Sequence, residues 1–468
     1  MGFLSYKTLL VLLPVSLVLF YTAGRFEKRK LQKLIILAAS LVFYYSYGKI
    51  PFFTILAATG VNYLLSRSFL PDSRFPLKKP VFAFSIILNV LLLALFKYYT
   101  FFTGKELTGI IAPAGISYIV FTQIAWLTDS FRGETINTSF PDYLNFILFF
   151  PKVLLGPIET HKDLIPALND DKKSRIDYEN MCRGLLLFTA GMAKKLLLEP
   201  VFAGGADFGF NSPDLLTLPV AWASSFAYTI QLYLDFSGYC DMAAGLALFF
   251  NLDIIQNFNS PYKAVSVNDF WKRWHISLTS FLRKYIYFPL GGSKKGTVRT
   301  YVNIMIIYLI SGFWHGAGLN FIFWGAYHGI LCVLERIFLK KKEYTGVHKL
   351  FRIALTFVLV NTGWIFFRAE DLKSAFYFIG KLFDIRSLSI DPVFYSSFTL
   401  DNVAFVSKHL NLAVPFLYFC TLAALIFTGN LYEIKNIKKA YNPLLIALVF
   451  VFSFLCMSGV SSFIYFKF

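Results

Sequence analysis

Tyr301-Val302-Asn303-Ile304-Met305-Ile306-Ile307-Tyr308-Leu309-Ile310-Ser311-Gly312-Phe313-Trp314-His315 is an apolar run with one imidazole at its far end. A helix over it puts His315 about 22 Å from the basic flank formed by Lys294, Lys295 and Arg299, inside a hydrocarbon slab about 30 Å thick. A titratable ring at that depth is costly unless something uses it or pairs with it. Upstream, Trp271-Lys272-Arg273-Trp274-His275-Ile276-Ser277 repeats the pairing of a tryptophan with a following histidine.

The whole chain reads as lipid-soluble. Its 468 residues are 56% hydrophobic, 19% aromatic and 15% charged, with mean hydropathy +0.58. Soluble domains carry about 25% charged residues. The net charge of +18 does not point to nucleic acid, because the basic residues fall in clusters between apolar runs. Arg25 to Lys33, Arg74 to Lys79, Lys172 to Arg175, Lys340 to Lys342 and Lys435 to Lys439 follow the positive-inside pattern of cytoplasmic loops. The five cysteines are scattered, form no Cys-x-x-Cys pair, and read as small buried hydrophobes. The apolar N-terminus with its basic flank reads as a retained first span.

Candidate spans or broken spans cover residues 3–22, 34–47, 52–65, 81–102, 110–127, 185–202, 218–234, 242–252, 302–314, 321–338, 353–367, 412–427 and 444–466. Several are short or interrupted by Gly and Pro, as in helices that tilt, re-enter or line a cavity. Phe149-Phe150-Pro151-Lys152 with Leu155-Gly156-Pro157-Ile158 predicts a broken element, and 383–411 an external loop with a surface helix. The loops at 25–33, 67–79, 263–299, 340–352 and 435–439 are expected on the cytoplasmic side.

Residues 269–289 predict one amphipathic helix. Trp271, Trp274, Leu278, Phe281, Leu282 and Tyr285 share a stripe opposite Lys272, Arg273, Arg283 and Lys284, with Asn268 or Asp269 as the N-cap. His275 lies at the border of that stripe, and spacing alone leaves open whether it faces a cavity or the interface. Glycines 312, 316 and 318 around His315 predict close approach of backbone or substrate to its ring. His328 shares a helix face with Trp324. His161, His348 and His409 sit in polar stretches and are expected to be solvated. Asp235, Ser237 and Asp241 form a further buried polar cluster, which caps a broken helix, pairs with Arg273 or Arg283, or orients a histidine.

No metal-ligand spacing is present, so no metal site is expected. The histidines instead suit general base catalysis in a water-poor cavity, with a hydroxyl nucleophile and an activated acyl group.

The chain resembles the membrane-bound O-acyltransferase family in its bacterial alginate O-acetyltransferase branch. The matching strings are Pro113-Ala114-Gly115-Ile116-Ser117-Tyr118, Phe149-Phe150-Pro151-Lys152 with Gly156-Pro157-Ile158, and Tyr233-Leu234-Asp235-Phe236-Ser237-Gly238-Tyr239. They continue with Asn257-Phe258-Asn259-Ser260-Pro261-Tyr262, Phe270-Trp271-Lys272-Arg273-Trp274-His275-Ile276-Ser277-Leu278, Tyr287-Phe288-Pro289-Leu290-Gly291-Gly292 and Gly312-Phe313-Trp314-His315-Gly316-Ala317. Weaker matches follow at Gly363-Trp364-Ile365-Phe366-Phe367-Arg368 and Phe463-Ile464-Tyr465-Phe466. Phe313 stands where many relatives carry Leu, and Lys284 where many carry Asp, which leaves the partner of Arg283 open.

The resemblance implies an all-α polytopic membrane protein, one domain over residues 1–468, with roughly 11–13 transmembrane or re-entrant helices around a central tunnel and a catalytic core near 110–370. It implies that His315 is the catalytic histidine and His275 its companion. From their own placement in the sequence, Trp274, Trp314, Asp235, Ser237, Arg273, Arg283 and His328 are the candidate tunnel or substrate-binding residues. The resemblance implies no bound cofactor, acetyl-CoA as the cytoplasmic donor, an extracytoplasmic esterase-like partner, a polysaccharide acceptor and a place in the bacterial plasma membrane. In that reading His315 withdraws the hydroxyl proton and His275 orients or polarises the thioester. Two alternatives stand beside it: acyl transfer from a carrier protein, as in teichoic acid D-alanylation, and a non-enzymatic transporter of a lipid-linked sugar.

Overall fold

The computed structural model describes residues 2–70, 73–105, 111–135, 137–338, 344–398, 408–433, 442–457 and 463–464. Among the described residues every regular element is a helix. The chain divides into two compact units. The first holds residues 1–192, 239–256 and 436–467; the second holds 193–238 and 257–435.

The first unit starts with α1 (Leu13–Arg25), α2 (Arg29–Tyr45), α3 (Lys49–Arg67) and α4 (Lys78–Leu93). It continues with α5 (Ile116–Phe131), α6 (Phe140–Leu148), α7 (His161–Asn169) and α8 (Tyr178–Ala193). Apolar packing gives little specificity between helices in lipid, so polar contacts and small residues set which helices meet. Here Asn62 of α3 donates to Asn89 of α4 at 3.2 Å and to Gln123 of α5 at 2.6 Å, and Gln123 donates to Thr59 at 2.9 Å. All four side chains are buried. Each such bond is worth about 0.6 kcal/mol in a membrane protein. The 149–158 stretch is irregular and buried, as its Gly and Pro spacing predicts. Gly115 enters α5 at φ 71°, and a Cβ there would meet the backbone of Val153 and Leu154, so only glycine fits against that stretch.

His161 corrects the expectation of a solvated ring. It is buried, with Nδ1 3.5 Å from Asp129, Nε2 3.2 Å from the Glu134 carbonyl and the Trp126 ring 5.5 Å away. His348 and His409 are exposed as predicted.

The second unit contains α9 (Glu199–Asn211), α10 (Leu218–Leu248), α11 (Val267–Trp271), α12 (Ile276–Leu282) and α13 (Thr297–His315). They are followed by α14 (Leu319–Phe338), α15 (Gly346–Arg368), α16 (Leu372–Lys381) and α17 (Leu410–Phe427). The residues of α10 from Tyr239 onward belong to the first unit, as does α18 (Pro443–Leu455).

Two expectations change here. The separate spans at 218–234 and 242–252 are one 31-residue helix, α10. The polar run at 235–238 does not break it, because Lys195 and Lys194 bond Asp235 and Ser237 from outside the helix. The single amphipathic helix over 269–289 is two short helices, α11 and α12, separated at His275. Its N-cap is Ser266, whose Oγ accepts from the Asp269 amide. The sidedness survives the break: Trp271, Trp274, Leu278, Phe281 and Leu282 are all buried.

Among the described residues, five helical stretches are long and apolar enough to cross a membrane: Thr8–Arg25, Lys78–Thr103, Leu319–Phe338, Gly346–Arg368 and Leu410–Phe427. The chain is an all-α, multi-pass membrane protein.

Candidate active site

His275 and His315 both lie in the second unit, and the backbone that carries each is specialised. His275 has φ 46° and ψ 55°, the left-handed region, which turns the chain between α11 and α12. Asn257 holds that turn. Its main-chain carbonyl accepts from the Ile276 amide at 3.0 Å. Its side-chain Oδ1 accepts from the Ser277 amide at 3.0 Å and the Ser277 hydroxyl at 2.9 Å.

The same Oδ1 lies 3.3 Å from His275 Nδ1. An oxygen that already receives an amide proton is an acceptor, so Nδ1 is the protonated nitrogen and Nε2 carries the lone pair. Burial, with the ring 1% exposed, pulls the His275 imidazole down to about 3. It is therefore neutral at physiological pH, with Nε2 in the accepting form. The Phe236 ring meets it edge-on at 4.9 Å.

His315 is the last residue of α13 and is buried. Its ring sits among Trp314 at 4.8 Å, Trp324 at 5.1 Å and Phe367 at 5.2 Å between centroids. It is enclosed by aromatic side chains of its own unit rather than facing lipid. Trp314 also lies 6.2 Å from His275, so one indole stands against both imidazoles. A cavity of about 40 Å³ is bounded by Leu278 and Thr279, one turn beyond His275, and by Ser311, one turn before His315.

The glycines beside His315 do not open space for a ligand. A Cβ on Gly312 would overlap the Phe321 carbonyl, and one on Gly316 would overlap the Phe321 ring. They bring α13 and α14 together, and that packing fixes the end of α13 where His315 sits.

His328 is fully buried on α14, cradled by Trp271 at 5.0 Å and Trp324 at 5.1 Å. Trp324 thus touches both His315 and His328. Neither ring nitrogen of His328 has a hydrogen-bond partner among the described residues. Gly363 makes room for it, since a Cβ there would stand 2.5 Å from Nε2. Trp274 packs on Trp364 at 4.9 Å and on Phe258 at 5.0 Å, inside the same aromatic compartment.

The other sequence-selected residues lie in separate contacts. Asp235 pairs with Lys195 at 2.6 Å, not with Arg273 or Arg283. Lys195 also reaches Glu199 at 3.4 Å, and Gln231 donates to Glu199 at 2.8 Å. Ser237 accepts from Lys194 at 3.2 Å. Arg273 bonds Asp269 at 3.0 Å and the Asn259 carbonyl at 3.3 Å. Arg283 is exposed and lies 5.2 Å over the Phe288 ring. Asp241 is buried in the first unit.

Sequence reasoning does not single out Asn257, Phe236, Trp364 and Phe367 as site residues. Each stands in a motif string, but their proximity to the histidines depends on long-range packing. Among the described residues no group of His, Cys, Asp and Glu is arranged to hold a metal ion.

Two buried histidines that share the Trp314 indole, in a helical membrane protein, define a candidate transferase site, and sequence comparison supplies the family. Residues 132–368 match the model of the membrane-bound O-acyltransferase family. The chain belongs to that family and is an O-acyltransferase. It is 32% identical to the peptidoglycan O-acetyltransferase of Helicobacter pylori over 97% of this chain and 95% of that protein. It is 34% identical to the probable alginate O-acetylase AlgI of Pseudomonas aeruginosa over 84% of this chain and 77% of that protein. A teichoic acid D-alanyltransferase of Bacillus subtilis is 25% identical over 79% of this chain and 97% of its own length.

Proposed function

We propose that this enzyme moves an acetyl group from a cytoplasmic thioester, acetyl-CoA, toward hydroxyl groups of a cell-surface polysaccharide outside a bacterial plasma membrane. The observation that carries the reading is the placement of His275 and His315 against one indole, Trp314, in a buried aromatic compartment. The similarity to proteins named for peptidoglycan and alginate O-acetylation supports acetyl as the group and a surface polymer as its destination. An extracytoplasmic esterase-like partner delivers the acetyl group to the polymer.

In the transfer step a hydroxyl oxygen attacks the thioester carbonyl. The new C–O bond forms, the C–S bond breaks, and the hydroxyl proton passes through His315 to the leaving sulfur. His275 takes a different part from polarising the carbonyl. With Nδ1 donating to Asn257, its Nε2 presents a lone pair, which accepts a hydrogen bond from a reactant N–H or O–H and so orients that reactant. Trp314 and Trp274 exclude water that would hydrolyse the thioester.

Purified protein with radiolabelled acetyl-CoA tests this. His315→Ala should lower release of coenzyme A by about 10²- to 10⁴-fold, the usual contribution of a general base. Unchanged turnover in that variant rejects the role of His315. Transfer that requires an acylated phosphopantetheinyl carrier protein and ignores acetyl-CoA assigns the donor to the carrier-protein class instead.

A further inference from the structure

A second and larger cavity of the same unit has no part in the histidine compartment. Its volume is about 610 Å³, and it lies where α15 begins and α17 ends, with the chain around α11 as its third wall. That volume is ample for a small-molecule site, which typically occupies about 300–1,000 Å³.

Its lining is unbalanced in charge. Lys263, Arg273 and Lys349 face it against one carboxylate, Asp269, leaving two positive charges in excess (three cations less one anion). Asp269 is itself engaged by Arg273 at 3.0 Å.

The start of α15 adds to the imbalance. Thr345 makes no side-chain capping bond there, and the first turn holds no acidic residue. A helix N-terminus carries a partial positive charge. Yet Lys349 and Arg352 stand in the first two turns, with Arg352 stacked 5.4 Å over the Tyr344 ring. Uncapped amides and cations gathered at one helix start suit an anion held there.

The opposite wall is apolar and faces outward. Ile426 and Phe427 line it at the end of α17, a helix of mean hydropathy 2.0 with only 6% of its residues buried. Phe427 is 72% exposed. A basic pocket opening beside the end of an exposed helix apolar enough to span a membrane has the form of a site for an acidic lipid headgroup.

We propose that this cavity binds the phosphate headgroup of an anionic membrane phospholipid, whose acyl chains lie along α17. The phosphate sits between Lys349, Arg273 and the first amides of α15. A zwitterionic lipid brings the same phosphate, but its ammonium meets the positive lining.

Native mass spectrometry of the detergent-solubilised protein, mixed with dioleoylphosphatidylglycerol or dioleoylphosphatidylcholine, tests the assignment. Lys349 is exposed and makes no side-chain hydrogen bond among the described residues, so its variants report on binding rather than folding. Wild type should retain phosphatidylglycerol in preference. Lys349→Gln should weaken that retention roughly fivefold and Lys349→Glu roughly thirtyfold, while Lys349→Arg preserves it. Equal retention of the two lipids, or phosphatidylglycerol binding untouched in Lys349→Glu, overturns the proposal. Displacement of bound lipid by coenzyme A, with no preference between the two lipids, assigns the pocket to a soluble nucleotide phosphate and also overturns it.

Discussion

His275 shows how much a single position can demand. Its φ of 46° is tolerated by Asn and poorly by Ala, so an alanine variant confounds lost chemistry with backbone strain of about 1–2 kcal/mol. His275→Asn keeps the turn and removes the imidazole. The expected outcome is lost acyl transfer at near-native melting temperature for Asn, and lost transfer with a lowered melting temperature for Ala. The same pair reports on acid sensitivity. The unfolded chain takes up a proton at His275 near its ordinary value of 6.5, whereas the folded protein refuses it until about 3. This contribution to stability is therefore complete above pH about 6.5 and is lost as pH falls from there toward 3. Melting curves from pH 7.5 to 5 should fall more steeply for wild type than for His275→Asn. Identical slopes would mean that the ring is solvated. At this scale the histidines and their tryptophans are legible in the sequence, because a titratable ring inside an apolar run stands out against the cost of burying it there. Asn257 is not legible, since its reach to His275 depends on a fold that brings position 257 against 275–277. His161 reads as solvated because Thr160 and Lys162 beside it are polar, while Trp126 and Asp129, which bury it, are distant in sequence.

Between elements, α13 and α14 make the contact on which the site rests. Gly325 faces the Tyr308 carbonyl so closely that a Cβ would overlap it, and that Cβ would also stand 3.3 Å from the Gly312 Cα. Close backbone contact of this kind replaces hydrophobic driving force in lipid. Gly325→Val must push the helices apart and shift His315 at the end of α13. The expected cost is about 1–3 kcal/mol with a parallel loss of activity, read by melting temperature and acyl transfer in detergent. Gly380 on α16 is the control: a Cβ there meets nothing within 4 Å, so Gly380→Ala should be neutral or slightly stabilising. The apolar runs predict most helices, since a segment of about 20 apolar residues is long enough to cross lipid as a helix. Helix continuity is harder to read. The polar run 235–238 argues for a break in α10, and only Lys194 and Lys195, some forty positions earlier, explain why the helix passes through it. The stripe from Trp271 to Leu282 keeps to one side as its spacing predicts, but periodicity cannot reveal that one residue in the left-handed region divides it.

For the molecule as a whole, the open quantity is how the second unit threads the membrane, and α13 decides it. Helices α14 and α15 have the length and hydropathy of spans. Helix α13 falls outside that set, yet its 19 residues make a rod of about 28 Å, close to the hydrocarbon thickness. Its polar residues Thr300, Asn303, Ser311 and His315 are buried in protein, so their polarity lowers its average hydropathy without exposing polar groups to lipid. Buried polarity of this kind is compatible with a full crossing. Three crossings between Lys294 and Leu388 put these two positions on opposite sides, with the basic 294–299 end in the cytoplasm. If α13 instead dips in and returns, only two crossings remain and both positions share a side. Cysteines introduced singly at 294 and 388, in a variant lacking the five native cysteines, distinguish the two cases. A membrane-impermeant maleimide applied to intact spheroplasts should label 388 and spare 294, and inverted vesicles should reverse the pattern. Labelling of both positions from one side would take His315 out of a membrane-crossing helix, and would remove the separation of faces that the proposed transfer across the bilayer requires.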